Sequence, residues 1–194
     1  MKLTIFLNFY QFIEFYPGFV KFKDNGIIFN KRRDRVSLIT FNAQIYIFFI
    51  LIHIIMRFLS FHCDYFRYST TKRSRSKVFE ELTEKNKEGS LENPIVFFIS
   101  IEKQDEMDDQ ILQKCIIEIE KITTQLKVSN IVLLSFAHLF GELSSPEFGL
   151  SALKDIENLL HEKFEILRPP FGWFNELELK AKGHPLSRIS RRIN

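Results

Sequence analysis

The sequence is poor in cysteine and lacks the familiar catalytic motifs. Cys63 and Cys115 are the only cysteines, and neither belongs to a CxxC pair or to a Cys/His set at zinc-ligand spacing. A disulfide framework and a structural zinc site are therefore not indicated, and a reducing cytosol is the expected compartment. No Walker loop, GxGxxG, HExxH or GxSxG motif occurs either, so the enzyme classes that those motifs mark are not indicated.

No apolar run is long enough for a membrane-spanning helix. The candidate is 45–55 (IYIFFILIHII), which follows a basic stretch in the manner of a signal anchor. A spanning helix needs about 20 apolar residues, whereas Gln44 and Arg57 bound this run. A membrane partner is therefore not expected.

The first 55 residues differ in composition from the rest. They contain ten of the 22 phenylalanines and are rich in Ile, Asn, Lys and Tyr. We favour the hypothesis that 1–55 is translated from AT-rich sequence upstream of a true start at Met56 and is not part of the fold. A membrane anchor and a genuine accessory segment are the alternatives.

Residues 56–194 are almost neutral, with 20 basic and 21 acidic side chains. A neutral domain binds nucleic acid through local clusters of charge rather than through a general basic field. The candidate cluster is near the end of the chain, where thirteen residues include Lys180, Lys182, Arg188, Arg191 and Arg192. A solvated basic tail is the alternative interpretation.

Short strands and helices alternate from Met56 onward, which indicates an α/β domain. Residues 69–93 are polar and are interpreted as a surface excursion, with 77–88 as a candidate short helix. Strands are predicted at 57–62, 65–68 (as a paired return), 95–102, 130–136, 163–168 and 173–181.

Two amphipathic helices are predicted. Apolar residues recur at three- and four-residue spacing from Ile111 to Leu126 behind Asp108 and Asp109, acids suited to a helix start. A second helix begins at Ser145-Pro146-Glu147, with a capping serine and a proline at its first position. Cys115 falls on the apolar face of the first helix and is expected in the core.

Asn175 lies in the apolar row of the last predicted strand. An unpaired buried amide costs roughly 1 to 3 kcal/mol, so Asn175 is either a satisfied core group or part of a site. His62 and Cys63 are neighbours on a predicted strand, where adjacent side chains point to opposite faces. The two are therefore not expected to act together as a base and a thiol nucleophile.

Five segments, MRFLSFHCDYFRY, VFFISIEK, SFAHL, PFGW and KAKGHPLSRISR, occur in this order between residues 56 and 194. In order and spacing they resemble the editing domain of archaeal threonyl-tRNA synthetases, which is similar in fold to D-aminoacyl-tRNA deacylases. The resemblance implies an α/β fold of the α+β type, with a β-sheet core and two main amphipathic helices. It also implies a hydrolase that removes serine wrongly attached to threonine tRNA.

Threonine and serine differ by one methyl group, and a pocket discriminates a single carbon by only about 1 to 3 kcal/mol. A synthetase therefore needs a second site that hydrolyses the ester of the smaller amino acid, serine. The resemblance implies that backbone groups line the pocket and that the free ribose hydroxyl of the terminal adenosine helps to activate the water. It implies no cofactor and no metal.

The resemblance also implies roles for particular residues. Asn175 and His138 are expected to position the catalytic water, although a satisfied histidine at a strand end is the alternative for His138. The expected substrate-binding residues are Ile99, Ser100, Ile101, Phe136, Ala137, Phe171, Gly172 and Trp173, of which Trp173 either packs a base or fills the core. The expected tRNA-binding residues are Lys182, His184, Arg188 and Arg191, with His62 as a weaker candidate.

Two positions depart from the family pattern. Many members have a lysine where this chain has Asn175, and they often have a glutamate where it has Arg188. If either charged group were the general base, this chain would be inactive. Retained activity is expected, because an asparagine still donates a hydrogen bond and the other motifs are intact.

The resemblance does not extend to an aminoacylation core, so the chain is expected to act in trans or to be a fragment of a longer synthetase. A non-catalytic module that binds tRNA or a synthetase is the alternative. The expected partners are the acceptor end of threonine tRNA, a threonyl-tRNA synthetase lacking its own editing domain, and a second copy in a homodimer.

Overall fold

A computed structural model of the chain describes residues 3–7, 11–15, 21–23, 26–28, 56–137 and 142–193. The chain divides into two compact units, 1–48 and 49–194. In the first unit the described residues form two antiparallel pairs, β1 (Leu3–Leu7) with β2 (Gln11–Phe15) and β3 (Lys21–Lys23) with β4 (Gly26–Ile28).

The apolar run 45–55 lies outside the described residues, and the proposed start at Met56 stays a prediction. Among the residues that the structure does describe, no helix is long and apolar enough to cross a membrane.

The second unit is organised around one 18-residue strand, β5 (Met56–Arg73). Its first half pairs antiparallel with β7 (Ile95–Ser100) on one edge and with β11 (Arg188–Ile193) on the other. Its second half pairs antiparallel with β6 (Glu88–Glu92) and β10 (Trp173–Ala181). Every antiparallel pairing of this unit's named strands therefore involves β5.

The predicted break between residues 62 and 65 is wrong, because β5 continues through it. The register against β10 shifts there: Leu179 pairs with Phe66, and Ala181 pairs with Cys63, which leaves an extra residue on β5. A bulge of this kind bends a strand without ending it and reverses which alternate residues face inward. The change from Cys63 to Phe66 and Tyr68 as the buried residues gave the appearance of two separate strands.

The centre of the sheet is parallel. β7 lies beside β8 (Asn130–Ser135), and β8 lies beside β9 (Glu165–Leu167), both in parallel. The strand order is β10-β5-β7-β8-β9. β7 and β8 are buried on both faces, which explains their nearly continuous apolar sequences.

Two cores flank these parallel strands. The first includes Phe97, Ile99 and Leu133 and lies under the helices α1 (Ile111–Leu126) and α2 (Pro146–Leu160). The second includes Val96 and Val132 on the opposite face, and the far half of β5 covers it with Phe66 and Tyr68. Both predicted helices and the α/β class are confirmed, and so is the burial of Cys115.

Three local predictions need correction. No helix forms at 77–88, where the chain is irregular and turns at 84–86 before β6. β6 itself was not predicted. The basic end of the chain is not a solvated tail, because Arg188–Ile193 forms β11 against the first half of β5.

Replacing Ile119 on α1 with alanine is expected to lower the free energy of unfolding by about 2 to 5 kcal/mol, because the side chain is fully buried in the first core. Ile117→Ala on the same helix is the matched control. Ile117 is 53% exposed, so a change within about 0.5 kcal/mol is expected there. Chemical denaturation measures both, and equal losses would contradict the packing described here.

Candidate functional site

A cavity of about 530 Å³ opens at the carboxyl ends of the parallel strands β7 and β8. Ligands of α/β sheets characteristically bind outside this edge. The cavity walls come from four parts of the chain: the ends of β7 and β8, the start of α2, the segment after β5, and the start of β10. The lining includes Ser74, Ser76, Ile99, Phe136, Gly172 and Asn175.

Backbone hydrogen bonds join the segment after β7 to the segment after β8 and to the residues that lead into α2. Phe136 N–H donates to the carbonyl of Ile99 over 2.8 Å, and Ser144 N–H donates to the carbonyl of Ile101 over 3.1 Å. Helix α2 then begins at the predicted cap, where the Ser145 hydroxyl accepts a hydrogen bond from Phe148 N–H. Glu106 accepts hydrogen bonds from the backbone and hydroxyl of Ser145 and fixes this turn.

The opposite wall is formed by two segments that hydrogen-bond to each other: the irregular segment 74–80, and 171–173, which is a turn followed by the start of β10. Ser74 N–H donates to the carbonyl of Gly172 over 2.9 Å, and Glu80 N–H donates to the carbonyl of Phe171 over 3.0 Å. The indole N–H of Trp173 donates to the carbonyl of Glu80 over 2.8 Å. The interpretation of 69–93 as a surface excursion is therefore wrong for this part of it.

The Glu80 carboxylate fastens this wall to the rest of the domain. It accepts hydrogen bonds from both terminal nitrogens of Arg168, over 2.6 and 2.9 Å, and from the backbone N–H of Phe171, over 2.8 Å. Arg168 also donates to Glu157 on α2 over 2.6 Å. Burial by itself raises the pKa of Glu80, but the hydrogen bonds from Arg168 and Phe171 outweigh it and hold the pKa at about 2.

Gly172 is required where the two segments meet. Its φ angle is +83°, and an added Cβ would lie 2.6 Å from the Cβ of Phe79 and 2.7 Å from the carbonyl oxygen of Val78. Both the backbone conformation and the close approach therefore exclude a side chain.

Asn175 lies in the cavity lining and is half-buried. Its side-chain oxygen accepts a 2.8 Å hydrogen bond from the Thr70 hydroxyl, and its amide nitrogen lies 3.4 Å from the carbonyl oxygen of Trp173. The amide nitrogen is the only donor of this side chain, and its second N–H is available to a ligand. Asn175 is thus a hydrogen-bonded strand residue that also faces the cavity, and its role in a site stays a prediction.

Most of the predicted substrate-binding residues converge on this cavity. Ile99, Ile101, Phe136, Ala137, Phe171, Gly172 and Trp173 all line it. Ser100 does not, because it alternates with its two isoleucine neighbours on β7 and is buried away from the cavity. His138 lies outside the described residues, so its role stays a prediction.

The predicted tRNA-binding residues do not line the cavity. His62 pairs with Ile95 at the start of β7, and the cavity is at the other end of that strand, roughly 16 Å away for six residues. Lys182 N–H donates to the carbonyl of His62, and the rings of His62 and His184 share a 2.9 Å hydrogen bond. The turn that contains His184 is therefore not beside the cavity of its own chain.

The two arginines of that prediction lie on β11. Arg188 pairs in register with Phe61 and is exposed, and the guanidinium Nε of Arg191 is 3.3 Å from Glu118 on α1. Neither arginine lines the cavity. Arg191 is separated from the cavity-lining Ile99 by Phe58 of β5, and Arg188 lies farther along, opposite Phe61.

Neither His62 nor Cys63 has the surroundings of a nucleophilic pair. Burial lowers the pKa of His62, whose second nitrogen lies 3.2 Å from the Asn93 side-chain oxygen. Burial raises the pKa of the Cys63 thiol to about 11, which keeps it protonated near neutrality. The expectation that they do not act together is consistent with these separate environments.

Sequence reasoning missed Glu80, Arg168 and the two serines of the cavity wall. One signal was present: Arg73-Ser74-Arg75-Ser76-Lys77 alternates strictly between basic and small polar residues, the pattern of an extended segment with two different faces. The partnership of Glu80 and Arg168 had no such signal, because 88 positions separate them.

Fold and cavity together define an α/β domain with a cavity at the carboxyl ends of its parallel strands, and the described lining of that cavity is uncharged. Residues 56–193 match the family described as the Archaea-specific editing domain of threonyl-tRNA synthetase. The chain belongs to this family, which confirms the resemblance noted in the sequence.

Curated relatives carry the name threonine–tRNA ligase. The protein of Methanococcoides burtonii is 42% identical over 139 residues, those of Thermococcus sibiricus and Methanocaldococcus jannaschii are each 41% identical over 140 residues, and each match covers 71% of this chain. The chain spans only 22% of the length of each of these relatives.

Glu80→Gln is expected to remove a pH-dependent part of the stability. The pKa of Glu80 is lowered by folding from 4.5 to about 2, so its contribution is present above the unfolded pKa and is lost as the pH falls toward 2. That contribution is on the order of 3 kcal/mol. Unfolding free energies measured between pH 7 and pH 2 should fall less steeply in the variant than in the wild type.

Glu81→Gln is the matched control for this pH series. Glu81 is the exposed neighbour, and its replacement should leave the wild-type pH dependence in place. Parallel curves for the wild type and Glu80→Gln would contradict the role given to Glu80.

Gly172→Ala is expected to destabilise the cavity wall by about 1 to 3 kcal/mol, because alanine is strained at this positive φ angle and meets Phe79 and Val78. Gly183→Ala is the control, since nothing lies within 4 Å of a Cβ there. Thermal unfolding compares the two, and a Gly172→Ala melting temperature equal to that of Gly183→Ala would refute the steric argument.

Proposed function

We propose that this domain hydrolyses the ester bond of mischarged tRNA and removes L-serine from threonine tRNA in the cytosol. Its membership of the editing-domain family supports this proposal, as does a cavity at the edge of the sheet that is large enough for an aminoacyl group. Proofreading is the activity expected of such a domain, because one methyl group is too small a difference for a single binding step.

One observation guides the proposed mechanism: the described lining of the cavity contains no ionisable side chain. Its polar side chains are serine hydroxyls, the Trp173 indole and the Asn175 amide, all of which stay uncharged near neutral pH. Such groups orient a substrate and stabilise a developing oxyanion as hydrogen-bond donors, but they are poor general bases.

We therefore assign activation of the water to the substrate, whose terminal ribose carries a free hydroxyl beside the ester. The Asn175 amide nitrogen donates to the substrate or to the developing oxyanion, while Thr70 fixes the amide orientation. His138 is the predicted ionisable residue that could modify this scheme, and the test includes it.

The relation to a synthetase is part of the same proposal. The domain acts on tRNA charged by a threonyl-tRNA synthetase, either in trans or as one segment of a longer enzyme. The homodimer also stays a prediction, which the molar mass in solution would check.

A non-catalytic tRNA-binding module is the second candidate. The observation that favours it is the presence of Asn175 and Arg188 where the resemblance implies lysine and glutamate. The two candidates make opposite predictions in the assay below.

The test is to incubate the chain with seryl- and threonyl-tRNA of the threonine type. We expect enzyme-dependent decay of the seryl ester that is much faster than decay of the threonyl ester. A seryl-tRNA whose terminal ribose lacks the free hydroxyl should resist hydrolysis. Binding of charged tRNA without any ester cleavage would favour the non-catalytic module.

Asn175→Ala should slow seryl-tRNA hydrolysis about tenfold, because one neutral hydrogen bond contributes about 1 to 1.5 kcal/mol. Glu176→Ala is the control, since Glu176 is the exposed neighbour on β10 and does not line the cavity. A rate for His138→Ala that falls by several orders of magnitude would show that the protein itself supplies the base.

A further inference from the structure

The segment that follows β5 has two faces with different chemistry. Ser74, Ser76, Val78 and Glu80 alternate as its half-buried residues, and the two serines line the cavity. The intervening residues point to solvent, and those from 72 to 77 that are charged are all cations: Lys72, Arg73, Arg75 and Lys77. We call these four residues the basic stripe.

The charges of the basic stripe are not neutralised by carboxylates. No residue of the stripe has an ion pair within the described parts of the chain, and none of residues 65 to 79 is acidic. The domain is nearly neutral as a whole, so this is a local concentration of positive charge at the cavity wall. The segment carries these cations from the end of β5 at Arg73 through bends at Arg75 and Lys77.

Three cations of the C-terminal cluster already have partners. Lys180 pairs with Asp64 at 3.1 Å, Arg191 pairs with Glu118 at 3.3 Å, and Lys182 bonds to the Asn93 side chain. Arg188 and Arg192 have no ion pair among the described residues, but they lie on β11, which β5 separates from the cavity-lining end of β7. The basic stripe, by contrast, belongs to the segment whose serines line the cavity.

Exposed aromatic rings accompany the stripe. Phe79 is 40% exposed and carries the Arg73 guanidinium 3.7 Å from its ring centre, while Phe174 is 53% exposed with the Lys72 ammonium at 5.7 Å. Phe136, also 40% exposed, lines the cavity together with Phe174. Cations interleaved with exposed rings are the combination that binds single-stranded nucleic acid, with phosphates on the cations and bases on the rings.

We propose that the basic stripe binds the single-stranded 3′ end of an RNA and guides its last nucleotide into the cavity. The phosphates lie along Lys72, Arg75 and Lys77, and the terminal aminoacylated ribose passes the serine face of the same segment. This inference rests on the proposed function for the identity of the RNA. It replaces the C-terminal cluster as the main RNA contact within one chain.

The test measures binding of uncharged threonine tRNA and of a short fluorescent single-stranded RNA ending in CCA, at several salt concentrations. The triple variant K72Q/R75Q/K77Q is compared with the wild type, while Arg73 is kept because it stacks on Phe79. We expect affinity at low salt to fall about tenfold or more, and the slope of log K against log[salt] to decrease by about 2, since each lost contact with single-stranded phosphate changes the slope by about 0.7.

Two further triple variants remove the same charge from other surfaces. K121Q/K127Q/K163Q alters exposed cations on α1, just after α1 and just after α2, and it should keep the wild-type affinity and slope. K182Q/R188Q/R191Q tests the C-terminal cluster. Unchanged melting temperatures should show that all three variants fold. Loss of binding in the C-terminal variant together with wild-type binding in K72Q/R75Q/K77Q would overturn the proposal.

A polyglutamate peptide serves as the comparison for an acidic protein segment, the alternative anionic partner. Binding of polyglutamate as tight and as stripe-dependent as that of RNA would overturn the assignment to nucleic acid. Because the RNAs carry no amino acid, this experiment is independent of ester hydrolysis. Stripe-dependent binding without deacylation would refute the proposed function alone, whereas deacylation without stripe-dependent binding would refute this inference alone.

Discussion

The bulge in β5 is the constraint on which the rest of the second unit depends. Before it, β5 contributes to the core beneath the helices, and after it, Phe66 and Tyr68 cover the opposite face of the parallel strands. A straight strand of 18 residues would be about 60 Å long, and its second half would project beyond the start of β7. Because β5 bends instead, both cores close around β7 and β8, and the residues after Arg73 form a wall of the cavity.

The cavity itself follows from how charge is arranged around it. Glu80 is half-buried, and Arg168 and the backbone of Phe171 satisfy its carboxylate, which is not among the groups that line the cavity. The cations of the basic stripe point outward. The described interior is left neutral and is lined by apolar groups and hydrogen-bond donors. Preorganised donors stabilise a developing charge, and this lining suits a reaction in which the substrate supplies its own base.

Much of the fold could be predicted from local patterns. The helices α1 and α2 follow from their apolar periodicity and from the Ser145 cap, and the parallel strands follow from continuous apolar runs. The failures share one physical cause, which is that pairing over long sequence distances overrides local preference. β11 has the basic composition of a solvated tail, yet it pairs with distant residues of β5. The separation along the chain is 127 positions for Arg188 and Phe61 and 137 positions for Ile193 and Met56.

By itself the sequence determined the class of the domain, its two helices, its central strands and three of the segments that line the cavity, those around Ile99, Phe136 and Gly172. Those features depend on short-range periodicity and on motifs that each lie within one stretch of chain. Only the tertiary structure decided which cations lie beside the cavity. It also decided that Thr70 bonds to Asn175 and that the pair of Glu80 and Arg168 fixes the cavity wall. These facts depend on which residues meet across the bend in β5, and contacts between distant positions are set by the packing of the whole domain rather than by any local pattern.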